Sequence, residues 1–288
     1  MSFSTDAKNE IIKVSAPKKC CRSAYAAGFL AECESDGGDR FLFINKNQAV
    51  AQAAQKAFSL AFGKDSVSDA VGLLGEYTVA LNSSAARELV LKIRSVGISK
   101  AVFSCNECSA HFLRGLFVAS ASITDPENQY HLEFLIKDLR SSSLVYTALS
   151  ELFAEPTIVN RKNGVGLVYK SSGAIEDVLS VIGANHAYFT LVNGKIEREI
   201  RNNENRATNC ETRNIAASVD AAGRQIAAIE KLKAEDKYDT LPQALKETAE
   251  MRLLYPSLPL SELANKFAPP LTKSGLNNRL KKILELAN

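Results

Sequence analysis

Two apolar runs with the character of buried helices each carry a glycine in mid-course. They are AYAAGFLAECES at 24–35 and HFLRGLFVASAS at 111–122, interrupted by Gly28 and Gly115. A glycine inside a helix costs about 1 kcal/mol relative to alanine, so a chain that keeps one in each of two such helices has a use for the missing side chain. The use that sterics supplies is close backbone approach. Ala27, Gly28, Ala31, Gly115 and Ala119 leave room for the two helices to pack against each other, and the fold has to be built around that pair.

The same order of elements follows each run. After the first come the polar turn DGGD, the alternating strand RFLFINK and the helix QAVAQAAQKAFSLAFG. That helix has Val50, Ala54, Ala57, Phe58 and Ala61 near one face and Gly63 as its stop. A strand EYTVALN and a serine-capped helix SSAARELVLKIRSVG complete the set. After the second run come the turn TDPEN and the strand YHLEFLIKD, with Tyr130, Leu132, Phe134 and Ile136 on one face. SSSLVYTALSELFAE, GVGLVYK and SSGAIEDVLSVIGAN then read as helix, strand and helix. Helix, strand, helix, strand, helix thus occurs twice. The pattern reads as a tandem duplication whose halves, about 20–100 and 108–200, form one pseudo-symmetric domain of helices and sheet.

The apolar period lapses in VNGKIEREIRNNENRATNCETRN and resumes at Ile215, Val219, Ala222, Ile226, Ile229 and Leu232. Such a stripe is too apolar to leave in water, so 201–235 reads as a connector loop and a docking helix. Arg198, Arg201, Arg206 and Arg213 share this junction with Glu197, Glu199, Glu204 and Glu211, and surface charge pairing is the expected outcome.

Residues 236–288 form a third unit. LPQALKETAEMRLLYP reads as a helix, SELANKFA as a short helix capped by Ser261, and PPLTK as a tight connection. KSGLNNRLKKILELAN is a final helix with Leu276, Leu280, Ile283, Leu284 and Ala287 inward. Two helices, a turn and a helix with a basic outer face is the helix-turn-helix pattern. At the start of the final helix Thr272, Lys273, Ser274 and Gly275 suit a phosphate, because free N–H groups face an anion there. Asn277, Asn278 and Arg279 follow where a recognition helix meets base edges, with Lys281 and Lys282 beside them. After residue 270 Glu285 is the only acid, and double-stranded DNA is the partner this pattern selects.

Composition excludes several other classes. A hydrophobic fraction of 46% and a charged fraction of 23% over 288 residues belong to an ordinary globular chain that folds without disulfides. No window approaches the roughly 18 apolar residues of a membrane span, and the first residues have no signal-peptide core. A cytoplasmic protein is expected. Six cysteines, at 20, 21, 33, 105, 108 and 210, are expected to be reduced thiols. Cys105 and Cys108 have CxxC spacing, but a zinc site needs about four ligands, and no second CxxC or paired histidine follows. They read as half-buried small apolar residues, so neither metal nor cofactor is expected. A net charge of +3 is too small by itself to argue for nucleic acid.

Four segments together resemble the WhiA family of bacterial sporulation and cell-division regulators. They are CCRSAYAAGFLAECES at 20–35, HFLRGLFVASASITDPENQYHLEF at 111–134, REIRNNENRATNCETRNIAASVDAAGRQIAAIEKL at 198–232, and 241–287 with its PPLTKSGLNNRLKKI. The resemblance implies an α+β fold, with a degenerate LAGLIDADG homing-endonuclease-like pseudo-symmetric domain over 1–200. The connector of 201–235 and an all-α helix-turn-helix domain over 236–288 complete it. It implies a sequence-specific DNA-binding regulator of transcription, cell division and chromosome segregation, associated with the nucleoid, and of sporulation where the host sporulates. Endonucleases of this class place an aspartate at the eighth motif position of each helix, and that pair holds the divalent metals. Setting Gly28 and Gly115 on the motif glycine puts Cys33 and Ser120 there, and neither supplies the hard oxygen ligand that magnesium demands. The domain therefore reads as non-enzymatic, with no catalytic residue. Two alternatives stand beside this reading. One is a residual metal-dependent nuclease using Glu32 or Glu34 with Asp36 or Asp125. The other is an adaptor for another regulator, which in an actinobacterial host would be an iron–sulfur WhiB-type protein.

Overall fold

The computed structural model describes residues 2–35 and 38–288 and divides into two compact units, Met1–Arg198 and Glu199–Asn288. In the first unit α1 (Phe3–Ile12) is capped by the Ser2 hydroxyl, which accepts from the Thr5 amide. Then follow α2 (Lys19–Leu30), β1 (Glu34–Ser35), β2 (Arg40–Asn45), α3 (Gln48–Phe62), β3 (Val71–Leu73), β4 (Glu76–Asn82), α4 (Ser84–Val96) and α5 (Ile98–Val102). The second half repeats the order with α6 (Cys108–Ser120), β5 (Ala121–Ile123), β6 (Leu132–Ile136), α7 (Leu139–Leu152), β7 (Thr157–Arg161), β8 (Gly164–Tyr169) and α8 (Ser172–Ile182).

Each half holds one antiparallel four-stranded sheet, in the orders β1-β2-β4-β3 and β5-β6-β8-β7. The long central strands pair in register, Phe43 with Val79 and Phe134 with Leu167. Four strands are additional to the sequence reading. β1 and β5 are too short to show alternation, and β5 occupies the last residues of the run expected to be helical. β3 and β7 lie at sheet edges and are largely exposed, so neither carries the period-two contrast that burial of one face imprints. The helices α1 and α5 are likewise additional.

The inner sheet faces and the helices share one core. Phe29 of α2 meets the rings of Tyr25, Phe43 and Phe58 edge-on at 5.3, 5.5 and 6.3 Å, and Phe117 of α6 meets Phe134 at 6.4 Å. Such aromatic pairs add about 1 kcal/mol each beyond the area they bury.

The helix α9 (Asn185–Ala234) runs without a break across the boundary between the units. The loop expected within 201–235 is therefore absent. Residues 199–217 are exposed all round, so no apolar period marks them, yet a helix satisfies its backbone internally and polar residues sustain it. Apolar periodicity reports burial rather than helicity. Of the stripe expected to dock, Ala222, Ile229 and Leu232 are buried, whereas Ile215 and Val219 remain 65% and 63% exposed.

The second unit is completed by α10 (Gln243–Leu254), α11 (Leu260–Ala264) and α12 (Lys273–Ala287). Ile229, Leu232, Leu245, Ala249, Leu263, Phe267, Leu276, Leu280 and Ile283 make its separate core. Leu284 is only half-buried. Ser261 is not the cap of α11: that helix starts after Pro259, whose carbonyl accepts from the Leu263 amide at 2.9 Å, with no side chain in the capping role.

Candidate functional site

The helices α2 and α6 cross at their glycines. A Cβ on Gly28 would fall on the Leu116 amide and the Phe112 carbonyl, and one on Gly115 would fall on the Tyr25 carbonyl. The two backbones touch directly, with Ala27 and Ala119 buried nearby.

At the C-terminal end of α2 lies a cavity of about 350 Å³ lined in part by Leu30, Glu32, Cys33, Phe41, Ile93 and Lys137. Cys33 donates its thiol to the Phe29 carbonyl at 3.5 Å, and burial together with the neighbouring Glu32 keeps it protonated. Ser120, in the corresponding place on α6, donates to the Leu116 carbonyl at 2.9 Å. Both groups are neutral and turned onto their own helices. Glu32 is only 8% exposed, and one of its carboxyl oxygens has no hydrogen-bond partner. Burial pushes its pKa up to about 8, opposed by the charge and backbone amide of Lys137 and by Lys8, whose own pKa burial lowers to about 8. Glu34 is exposed and pairs with Lys137 at 3.9 Å, and Asp125 accepts from the Glu127 amide. Asp36 lies outside the described residues. Among the described residues, no group of three or more His, Cys, Asp or Glu ligand atoms gathers at this end of the helices.

The opposite ends of the same helices differ. Cys20 and Cys21, in the first turn of α2, meet Cys105 and Cys108 at the start of α6. The partners of the CxxC pair thus come from upstream in the chain, where neither a second CxxC nor a paired histidine marks them. The Glu107 amide, bonded to the Cys105 sulfur, holds that thiol down to about 7, whereas burial pushes Cys21 up to about 12.

In the second unit the Thr272 hydroxyl caps α12 by accepting from the Gly275 amide at 3.1 Å. With Leu276, Leu280, Ile283 and Ala287 turned inward, helical spacing puts Ser274, Asn278, Lys281 and Lys282 on the outer face, where all four are exposed. Lys273 is also exposed, and Gly275 and Asn277 are half-buried at the flanks. Among the described residues, Lys273, Lys281 and Lys282 form no ion pair. Arg279 is different: its guanidinium turns toward α10, 3.8 Å from the Glu247 carboxylate and 3.5 Å from the Ala244 carbonyl. The fold therefore separates it from the base-facing group in which sequence reasoning set it.

The junction also departs from expectation. Arg198 donates to the carbonyls of Pro126 and Glu127 and lies 4.7 Å over the Tyr130 ring. Among the described residues, Arg201, Arg206 and Arg213 form no ion pair with the glutamates of the junction. Charge pairing there gives way to solvation, since exposed pairs return little for the side-chain order they require.

Comparison with known proteins accounts for both units. Residues 109–201 match the family described as the WhiA LAGLIDADG-like domain, and residues 205–287 match the WhiA C-terminal HTH domain. A relative from Syntrophomonas wolfei, "Probable cell division protein WhiA", is 33% identical over 99% of this chain and 97% of its own. One of the same description from a Thermoanaerobacter species is 31% identical over 100% and 97%. The crystal structure of "full-length DUF199/WhiA from Thermatoga maritima" covers 100% of this chain and 98% of its own, at 26% identity and a TM-score of 0.62. The isolated N-terminal LAGLIDADG domain of DUF199/WhiA shares the fold over 63% of this chain and 92% of its own, at 23% identity and a TM-score of 0.50. With relatives above 30% identity over nearly its whole length, two helices that cross at their glycines, and a C-terminal unit that matches the family's HTH domain, the chain belongs to the WhiA family.

Proposed function

We propose that the chain is a sequence-specific DNA-binding regulator of transcription, acting in cell division and chromosome segregation, and in sporulation where the host forms spores. In this reading α12 lies in the major groove. Asn278 and Ser274 face base edges, Lys281 and Lys282 flank them, and the capped start of the helix, Thr272 to Gly275, faces a phosphate. The observation that carries the reading is the open face of α12: exposed lysines without acidic partners on a helix held in place by its own buried leucines. Exposed cations beside a helix N-terminus are what a phosphate backbone requires. Arg279 braces α12 against α10, and the DNA is double-stranded and nucleoid-borne in the cytoplasm.

The motif-helix domain acts without nuclease chemistry. Support comes from the neutral Cys33 and Ser120 at the two motif positions, each bonded to a carbonyl of its own helix. A two-metal site needs carboxylates from both helices.

The test is binding of the full chain to genomic fragments at two salt concentrations. Asn278→Ala is expected to cost the specific site about 1–3 kcal/mol and leave other sequences unaffected. Replacing Lys281 and Lys282 with alanine should weaken binding to every sequence and reduce the salt slope by about two. If both variants bind as the unsubstituted chain does, α12 is not the reader. Magnesium-dependent cleavage that disappears in Glu32→Gln would restore the nuclease reading.

A further inference from the structure

We propose that Cys20, Cys21, Cys105 and Cys108 form a tetrathiolate site for a single tetrahedral divalent cation, zinc by its chemistry, that staples the N-terminal ends of α2 and α6. The four sulfurs lie within 4.8 Å of one another. Cys20 and Cys21 each stand 3.7 Å from Cys105, and Cys105 stands 3.5 Å from Cys108. Zinc–thiolate bonds of about 2.3 Å in tetrahedral geometry require sulfurs roughly 3.8 Å apart; the three distances to Cys105 match that spacing, and the remaining pairs lie within 4.8 Å. An iron–sulfur cluster spreads its thiolates over separate irons and needs a wider set of sulfurs. Four thiols in a compartment that keeps them reduced select zinc over magnesium or calcium, which take oxygen.

The surroundings suit a dianionic site. It sits against the N-termini of two helices, each with partial positive charge, with Lys19 and Arg114 close by; Lys18 pairs at 3.2 Å with Glu107, whose carboxylate stands 3.9 Å from the Cys21 sulfur. A cleft of about 380 Å³ lined by Lys19, Ser23, Leu89, Val102 and Ser104 reaches Cys20. Binding releases a proton from each thiol and transfers no electrons.

The site lies at the far ends of α2 and α6 from Cys33 and Ser120. A cation there constrains the helix pair at a second point beyond the glycine crossing, and ties the chain segment before α6 to the start of α2. In this reading a four-residue metal staple takes over fixing the motif helices, at the end that carries none of the degenerate motif positions.

The experiment titrates the full-length protein, first stripped of bound metal and kept reduced, with cobalt(II) under argon. The expected result is saturation at one cobalt per chain, with the intense visible bands of a tetrahedral ion and near-ultraviolet thiolate charge transfer, both bleached by one equivalent of zinc. Cys20→Ser and Cys108→Ser should each reduce affinity at least tenfold, while Cys210→Ser, on the exposed part of α9, should bind as the unsubstituted chain does. Absence of the tetrahedral bands in the unsubstituted protein overturns the proposal whatever the variants do. Bands unchanged in Cys20→Ser and Cys108→Ser also overturn it, because they would put the ion on Cys21, Glu107 and His111, the neighbouring set. Should a serine variant fail to fold by circular dichroism, zinc released from the unsubstituted protein by a mercurial decides: one ion per chain supports the staple, and none overturns it.

Discussion

Gly28 and Gly115 are the residues on which the first unit turns. Because each would drive a Cβ into the partner helix's backbone rather than into a movable side chain, the contact has no means of relaxing except by separating the helices. Gly115→Ala is expected to cost about 3 kcal/mol or more, read as a lower urea midpoint for the first unit, and an unchanged midpoint would sink the close-contact account. Glu32 is a buried acid whose protonation is tied to folding. Below about pH 4.5 its carboxyl is protonated in the folded and unfolded chains alike. Between there and about pH 8 the unfolded chain releases the proton while the folded chain keeps it, so this group's contribution to stability falls as pH rises through that window. Glu32→Gln is neutral throughout and nearly isosteric. It should gain on the unsubstituted protein progressively from about pH 5 to pH 8, by roughly a few kcal/mol in all. Urea denaturation at a series of pH values measures this, and parallel curves across the window would contradict the burial of a neutral acid.

Among the elements, α10 and α12 are held by polar devices at their ends. Arg252 is 2% exposed, and its guanidinium donates to the Leu258 carbonyl at 2.8 Å and to the Tyr255 carbonyl at 3.5 Å, closing the turn between α10 and α11. Burial lowers its pKa, but an arginine stays charged. Arg252→Ala leaves two carbonyls without their donor and opens a cavity, so a loss of about 2–3 kcal/mol is expected in the second unit. The check is a thermal melt, together with specific DNA binding at a temperature where the variant is still folded. The predicted pattern is a lower melting temperature with unchanged sequence preference, because Arg252 positions the turn without facing DNA. Altered preference in the folded variant would make it part of the reading surface. The polar stretch of α9 shows the opposite case, an element maintained by its own backbone hydrogen bonds with almost no packing around it.

For the molecule as a whole, the two cores predict separable behaviour. Every residue of the second core lies between Ala228 and Ala287, so a fragment of residues 199–288 is expected to fold cooperatively without the first unit. By the proposed function it keeps the sequence preference of the full chain, whereas residues 1–198 alone lose it. Circular dichroism of each fragment and its binding to the same genomic DNA test both statements. Preference retained by residues 1–198 would move recognition to the paired-helix domain.

What the sequence determined by itself follows from period and punctuation. The strands β2, β4 and β6 were legible because one face of each is buried and the other is not, β8 as a short apolar run, and α3 and α4 because a closing glycine and a serine cap mark where they end or begin. The glycine pair and the leucines of α12 were legible for the same reason, since a local pattern records a local environment. Only the tertiary structure decided what depends on distant partners. Edge strands exposed on both faces leave no alternation, and a solvated helix leaves no stripe. The direction of Arg279 depends on Glu247 in another helix, and the gathering of Cys20 and Cys21 with Cys105 and Cys108 depends on how α2 and α6 cross. Spacing along the chain cannot report a distance that is set by packing between its parts.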